Sequence, residues 1–220
     1  MGPGDSESVE ALQARYRGQG LAEAEVDPDP LVMVGRWVDD AVVAAVAEPK
    51  AMVLSTVDAE ARPHGRAVLL KGLDQRGLRF FTNHGSDKAR QLAANPACSL
   101  TFVWTALARQ VRLSGQAERL PDAEAEAYFA TRPRGSRLGA WASPQSQVIA
   151  DRAVLDRRLA ELEAIYSGSA HIPLPPFWGG YVVVPDTVEL WQARPDRLHD
   201  RLRYSRRQPD GPWRIERLAP

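Results

Sequence analysis

The sequence predicts a mainly β domain with flanking helices, its strands forming an antiparallel sheet that closes on itself. Strand-like runs follow one another at short spacing between residues 51 and 120, joined by polar or glycine-containing turns. Helical periodicity is confined to segments before, between and after these runs. No Gly-x-Gly-x-x-Gly follows a strand, so alternating βαβ units and a Rossmann domain are not expected.

Taken in order, residues 1–28 are rich in Gly, Asp, Glu and Ala and read as a mobile N-terminal segment, with a short helix around Val9–Tyr16. Residues 29–220 read as a single domain. Asp29-Pro30 is a helix start, Asp at the N-cap and Pro at the first helical position, and Leu31–Val46 carries apolar residues at helical spacing. Strands are expected at Ala51–Val57, Gly65–Leu73 and Leu78–Thr82, with turns at 58–63 and 74–77. A short helix over Ser86–Ala94 ends at Asn95-Pro96, and two longer strands follow, Ala97–Thr105 and Arg109–Leu120. A helix over Pro121–Thr131 is ended by Pro133, after which Ser136 is placed to cap a short helix Arg137–Trp141. Asp151–Tyr166 is a longer helix closed by Gly168. An extended stretch Ile172–Trp178 leads to strands Gly180–Val184, Thr187–Ala193, Arg197–Ser205 and Trp213–Leu218.

Composition narrows the function. The chain has 220 residues with 28 Lys+Arg and 28 Asp+Glu, and this balance argues against nucleic acid as a partner. Local charge is not balanced: arginines gather at 132–137 and 194–207. One cysteine, Cys98, lies in a strand-like run, so no intramolecular disulfide is expected and the thiol reads as a small buried hydrophobe. The N-terminus is acidic and no apolar run approaches the ~20 residues of a membrane span, so a reducing cytoplasm and no membrane partner are expected.

The richest stretch is Arg132–Ser146, with three arginines, two glycines and several hydroxyls around Trp141. Fixed cations with small donors suit a phosphate ester, and the arginines of 194–207 offer a second anion site. If Arg197–Ser205 is a strand, Arg197, His199, Arg201 and Arg203 share one face about 6.6 Å apart, with Leu198 and Leu202 turned to the core. That face is either solvated or closed by an anion or carboxylates, and Trp191, one strand earlier, adds a surface on which a flat ring can stack. Arg66 and Lys71 are an odd number apart, so they serve different ligand groups unless a bulge reunites them; two strand-end charges reaching water is the other reading. Phe81-Thr-Asn-His-Gly-Ser-Asp-Lys88 is a strand end, turn and helix start, and a plain cap and a phosphate site using Thr82, Ser86 and Lys88 explain it equally. Tyr128 and Arg132, four apart, and Ser136 can converge on one anion, or Tyr128 is core and Arg132 its solvated neighbour. The histidines and Cys98 lack metal-ligand spacing, and Gly-x-Ser-x-Gly is absent.

Together these residues resemble the pyridoxamine (pyridoxine) 5′-phosphate oxidase family. The resemblance rests on Arg66-Ala-Val-Leu-Leu-Lys71, Phe81-Thr-Asn83, Ser86-x-Lys88, Arg109-Gln-Val111, Tyr128-x-x-x-Arg132-Pro-Arg-x-Ser136, Gly139-Ala-Trp-x-Ser-x-Gln-Ser146, Phe177-Trp-Gly-Gly180, Glu189-Leu-Trp-Gln192, Arg197-Leu-His-Asp-Arg201 and the Glu216–Pro220 terminus. It runs from about Leu12 to the last residue. It implies an FMN-binding split β-barrel, a Greek-key-like antiparallel barrel, that forms a homodimer with FMN at the interface.

By the same resemblance, Arg66, Thr82, Ser86, Lys88 and Ser146 surround the flavin phosphate and ribityl chain, with Lys71 and the backbone of Phe81 beside them. Gln110, Gln145, Trp191 and Arg201 contact the flavin ring region, some from the partner subunit. Lys71, Tyr128, Arg132 and Ser136 hold the substrate phosphate, Tyr16 belongs to a lid, and Arg197 and His199 are catalytic, lying over the pyridine ring. The implied reaction oxidises the 4′ carbon of pyridoxine or pyridoxamine phosphate to the aldehyde, with hydride passing to FMN and oxygen giving hydrogen peroxide.

Three positions depart from the family pattern. Asp87 stands where a second basic residue is common, Phe81 where a tyrosine is, and Gln13-Ala-Arg-Tyr16 replaces Arg-Arg-x-Tyr. Other readings are a related FMN oxidase of phenazine-type secondary metabolism, a deazaflavin-dependent split-barrel reductase, and a non-enzymatic protein that binds flavin or B6 phosphate.

Overall fold

The structure, a computed structural model, describes residues 8–208 and 210–220; residues 1–7 of the expected N-terminal lid lie outside the described residues. The strands are β1 (Ala51–Val57), β2 (Pro63–Leu69), β3 (Gly72–Asp74), β4 (Gly77–Asn83), β5 (Ala97–Trp104), β6 (Arg109–Arg119), β7 (Trp178–Gln192), β8 (Asp200–Ser205) and β9 (Arg214–Arg217). The helices are α1 (Val9–Gln19), α2 (Pro30–Val43), α3 (Asp87–Ala94), α4 (Asp122–Thr131), α5 (Arg134–Ala142) and α6 (Ala153–Ile165).

All strand pairs are antiparallel, in the order β2-β1-β5-β6-β7-β4-β3. The sheet divides at β7. Its first half, up to Val183, pairs with β4, and its second half, from Thr187, pairs with β8, to which β9 adds. The sheet curls until β2 lies against β4, giving a half-barrel. Period-2 alternation sends Met52, Leu54, Leu100, Phe102, Val111, Leu113 and Val183 into its interior, all nearly fully buried. Each such side chain contributes about 1.5–3 kcal/mol relative to exposure.

Helix α2 closes the barrel with Val34, Trp37 and Val38. It starts as expected, with the Asp29 carboxylate accepting from the Leu31 N–H at 2.9 Å and Pro30 at the first position. A second, smaller core of Phe129, Leu138, Ile172 and Trp178 joins α4, α5 and α6 to the start of β7. No helix among the described residues is long and apolar enough to cross a membrane. Cys98 is buried, and burial pushes its thiol up to about 12, as expected of an inert structural thiol.

Several boundaries differ from expectation. The expected strand Gly65–Leu73 is broken at Leu70–Lys71 into β2 and β3. The two strands expected at 180–184 and 187–193 are one, β7, which runs through Pro185. Proline is tolerated there because β4 has ended and β8 has not begun, so that edge asks for no N–H. On the other side β6 bulges at Ser114/Gly115, and a Cβ at Gly115 would stand 2.0 Å from the Val184 carbonyl oxygen.

The expected strand Arg197–Ser205 starts only at Asp200. Residues 195–197 form a 3₁₀ turn with Asp196 and Arg197 at φ 59° and 60°. Arg197 and His199 therefore lie outside the strand, on which Arg201 and Arg203 share a face; Leu202 is buried as expected, whereas Leu198, also expected in the core, is 71% exposed. Ser136 does not cap a helix, since α5 begins at Arg134, with Pro133 in the N-cap position.

Candidate functional site

The Lys88 cradle is built where β4 runs out. Its last residues carry Thr82 inward, the turn 84–86 follows, and α3 begins. The Lys88 ammonium returns over this turn and donates to Thr82 Oγ1 at 3.2 Å and to Gln145 Oε1 at 3.0 Å, with Ser86 Oγ at 3.4 Å. Ser86, fully buried, donates to the Asn83 carbonyl at 2.7 Å, which fixes the turn. Ser146, at φ 68°, accepts from the Asp87 N–H at 3.2 Å, so an oxygen acceptor fits at the N-terminus of α3.

Arg66 extends from β2 to Thr56 Oγ1 at 2.6 Å and Gln91 Oε1 at 2.9 Å, and its remaining contacts are main-chain oxygens. Burial, then the Arg66 charge, holds the Lys88 pKa below its usual value, and burial does the same for Arg66. Asp87 pulls both the other way, but its carboxylate is paired with Arg90. Two desolvated cations side by side favour an anion of double charge.

A cleft of about 440 Å³ adjoins this cradle, and Lys71, Tyr128, Arg132 and Ser136 line it beside Thr82, Lys88 and Gln145. Lys71 reaches it because β2 has ended, the Lys71 N–H donating to the Arg79 carbonyl at 2.8 Å. Arg132 follows the last residue of α4 in an extended conformation, as Pro133 dictates, and lies 4.7 Å from the Trp178 ring centroid. Its Nη1 is buried with no hydrogen-bond partner, so this cleft-lining guanidinium holds an unspent donor. Phe81, Tyr128 and Trp178 line the cleft as three nearly parallel rings, with centroids 4.0, 5.4 and 6.2 Å apart. The two other arginines of the 132–137 cluster do not line the cleft: Arg134 donates to the carbonyls of Tyr166 and Ser169, and Arg137 lies 3.4 Å from that of Ala170, its Nε buried without a partner.

The remaining expected residues lie at the other end of β7. Gln110, Trp191 and Arg201 are register neighbours across β6, β7 and β8. Trp191 meets His199 at 4.6 Å, and Arg197 is exposed on the turn before it. Arg201 binds Glu189, which also pairs with Arg112, and Arg203 binds Glu216, so carboxylates close this face. Tyr16, on α1, is buried with the Arg109 guanidinium 4.5 Å above its ring. Gly180, opposite Phe81, and Trp191 are eleven residues apart on β7, about 37 Å of strand. One chain thus brings together Arg66, Lys71, Phe81, Thr82, Ser86, Lys88, Tyr128, Arg132, Ser136, Gln145 and Ser146 at one end of β7. It gathers Tyr16, Gln110, Trp191, Arg197, His199 and Arg201 at the other.

Thr56 and Gln91, which hold Arg66, were not read from the sequence. Their signal was available: each is a polar residue at an inward position of an otherwise apolar face.

Comparison with known proteins matches this architecture. The family described as pyridoxamine 5′-phosphate oxidase matches residues 38–166, and the pyridoxine 5′-phosphate oxidase C-terminal dimerisation region matches residues 178–220. A pyridoxine/pyridoxamine 5′-phosphate oxidase of Pseudomonas paraeruginosa is 52% identical over 217 residues, covering 98% of this chain and 100% of the relative. One from Rubrobacter xylanophilus is 51% identical over 220 residues, covering 100% of both. Among solved structures, PhzG from Burkholderia lata in complex with tetrahydrophenazine-1-carboxylic acid is 33% identical with a TM-score of 0.85, covering 92% of this chain and 98% of that one. A pyridoxamine 5′-phosphate oxidase-related, FMN-binding protein from Nostoc punctiforme, 18% identical with a TM-score of 0.69, covers 92% of this chain and 100% of its own and shares the fold.

Proposed function

The chain belongs to the pyridoxamine 5′-phosphate oxidase family, and from that premise we propose that it oxidises pyridoxamine or pyridoxine 5′-phosphate to pyridoxal 5′-phosphate, using FMN and oxygen in a cytoplasmic homodimer. The observation that carries this is a pair of adjoining cationic groups: Arg66 and Lys88 at the cradle, and Lys71 and Arg132 with Ser136 in the cleft that Lys88 also lines. Two phosphorylated molecules, cofactor and substrate, are what such a pair accommodates. The buried, unpartnered Nη1 of Arg132 fits the second phosphate.

FMN fits the first cradle. Lys88 and Arg66 supply charge, and Thr82, Ser86, Gln145 and Ser146 supply hydroxyl and amide groups for a phosphate and a polyol chain. When bound, FMN would supply the two-electron oxidation of the 4′ carbon at the expense of oxygen, which is reduced to hydrogen peroxide; from pyridoxamine phosphate the resulting imine takes up water and releases ammonia. The protein contributes placement. Lys71, Tyr128, Arg132 and Ser136 anchor the substrate phosphate, remote from the reacting carbon, and that binding energy aligns the ring. Arg197 orients the pyridine ring from its exposed turn. His199 accepts the Arg194 N–H at Nδ1 and so, when neutral, keeps its proton at Nε2, available to the substrate.

Since Arg197 and His199 lie at the far end of β7 from Arg132, a complete site takes one end from each of two copies. The same arrangement gives Gln110, Trp191 and Arg201 to the flavin ring from the second copy. Tyr16, on α1, closes over the substrate as part of an N-terminal lid, with residues 29–220 as the single FMN-binding domain.

A tricyclic acid without phosphate, as in the Burkholderia lata complex, would leave Arg132 and Ser136 without purpose, which favours the B6 substrate. The test is an oxidase assay with FMN added, comparing pyridoxamine phosphate, pyridoxine phosphate and a dihydrophenazine acid. Aldehyde absorbance and peroxide from the B6 phosphates are expected; turnover of the tricyclic acid alone overturns the assignment.

A further inference from the structure

Resting on the assignment of Arg197 and His199 to the reacting end of the substrate, we propose that Arg194 is a positioning residue that clips the C-terminal end of helix α1 to the loop carrying them. That loop leaves β7 after Gln192 and enters β8 at Asp200. Asp196 and Arg197 are consecutive residues with left-handed φ, a backbone that side-chain-bearing residues keep only where the surroundings hold it. Part of the hold is Arg194 itself, whose backbone N–H donates to His199 Nδ1 at 3.1 Å across the turn.

The side chain of Arg194 points the other way. Its Nη1 donates to the carbonyls of Arg17 at 3.1 Å and Gly18 at 3.2 Å, among the acceptors that a helix leaves unpaired at its end. Gly20, at φ 72°, keeps this approach open, because a Cβ there would stand 3.0 Å from Arg194 Nη1. The far end of the loop is tied to the same segment. Asp200 accepts from the Leu21 N–H at 3.1 Å and pairs with Arg194 Nε at 3.5 Å. Arg217 secures the arrangement, bonding Asp200 at 2.6 Å and the Leu21 carbonyl at 2.7 Å. Both ends of the loop therefore grip residues 17–21, and a displacement of α1 is passed to Arg197 and His199 through Arg194 and Asp200.

The experiment uses the full-length, FMN-loaded enzyme and the variants Arg194→Gln, Arg194→Lys, Gly20→Ala and Arg197→Ala. Turnover and KM for pyridoxine phosphate, FMN affinity, and the rate of tryptic cleavage at Arg17–Gly18 are measured for each. Arg194→Gln is expected to lower kcat roughly tenfold, the scale of a loosened positioning contact, with FMN affinity within about twofold of the parent and with faster cleavage after Arg17. Gly20→Ala displaces the same guanidinium from the helix side and should show the same pattern, so a folding failure at either position leaves the other to decide. Arg194→Lys, with a compact ammonium in place of a fork, should fall between.

Faster cleavage with parental kcat and KM in Arg194→Gln overturns the proposal, leaving a helix cap. Reduced kcat with unchanged cleavage also overturns it, because the helix is then not involved. Parental turnover in Arg197→Ala removes the assignment beneath the proposal, and the proposal falls with it.

Discussion

Lys88 Nζ donates to Oε1 of Gln145 at 3.0 Å across 57 residues of sequence, so the turn after β4 and the loop after α5 share one cation. Thr82 Oγ1 donates to the same Gln145 oxygen at 3.0 Å. This contact joins the two segments whose hydroxyls and amides surround the proposed flavin phosphate, and it makes the charge of Lys88 the natural handle on cofactor affinity.

The charge on Lys88 should be visible in pH dependence. Burial and Arg66 hold its pKa below 10.5 in the FMN-free protein. The unfolded chain keeps its proton to higher pH, so stability of the FMN-free protein should rise with pH between the folded and the unfolded value. A bound phosphate favours the charged ammonium and reverses the sign: FMN affinity should fall as pH rises through the lowered value. Flavin-fluorescence titrations at a series of alkaline pH values test this, and Lys88→Met should weaken FMN by roughly 10- to 100-fold and flatten the profile. A profile as steep in the variant as in the parent would assign the dependence elsewhere.

Asp87 should oppose the cofactor. Its carboxylate acts on both Arg66 and Lys88 and is only partly neutralised by Arg90. Asp87→Asn is predicted to tighten FMN about two- to fivefold at low salt, with the gain shrinking at high salt as screening takes over. Unchanged affinity at low salt would show that Arg90 already cancels the charge.

Arg132→Gln should raise the KM for phosphorylated substrates by roughly 10- to 100-fold, since a charge-assisted contact is lost, while leaving FMN binding within about twofold. Unphosphorylated pyridoxine should be turned over equally poorly by parent and variant. Equal losses on both substrates would mean that Arg132 supports the cleft rather than binding phosphate.

The two ends of β7 predict complementation between subunits. Arg132→Ala and Arg197→Ala disable opposite ends and, assayed with substrate near or below the parental KM, should each be nearly inactive as homodimers. Mixed one to one and allowed to exchange, half the dimers hold one intact site of two, so about one quarter of parental activity should return. No recovery after verified exchange would place both residues in the same copy's site.

Gly115→Ala tests the bulge that lets β7 pass Pro185. A methyl group would be forced against the Val184 carbonyl. A loss of about 2–4 kcal/mol is expected in denaturant unfolding, on the scale of backbone strain and overpacking. A loss below about 0.5 kcal/mol would mean that the bulge relaxes freely.

How much of this was legible in the chain depends on the range of the forces involved. Strand and helix periods, the Asp29-Pro30 cap and the Pro133 break follow from neighbouring residues, and the elements they predict are present, because each depends on backbone geometry over one or two turns. The order of the motifs, read as a family resemblance, was enough to give the fold and the reaction. Sequence alone could not tell which arginine of a cluster binds a ligand. Arg132, Arg134 and Arg137 look alike in the chain, yet Arg134 is spent on the carbonyls of Tyr166 and Ser169, Arg137 reaches that of Ala170, and Arg132 and Ser136 line the cleft. The strand face expected from Arg197 to Arg203 failed for the same reason: alternation says where a strand would point its side chains, but a left-handed turn at Asp196–Arg197, tied to α1 through Arg194, decides that the strand starts later. Local pattern is written in the covalent chain, whereas the partner of a long, charged side chain is chosen only when distant segments are packed against it.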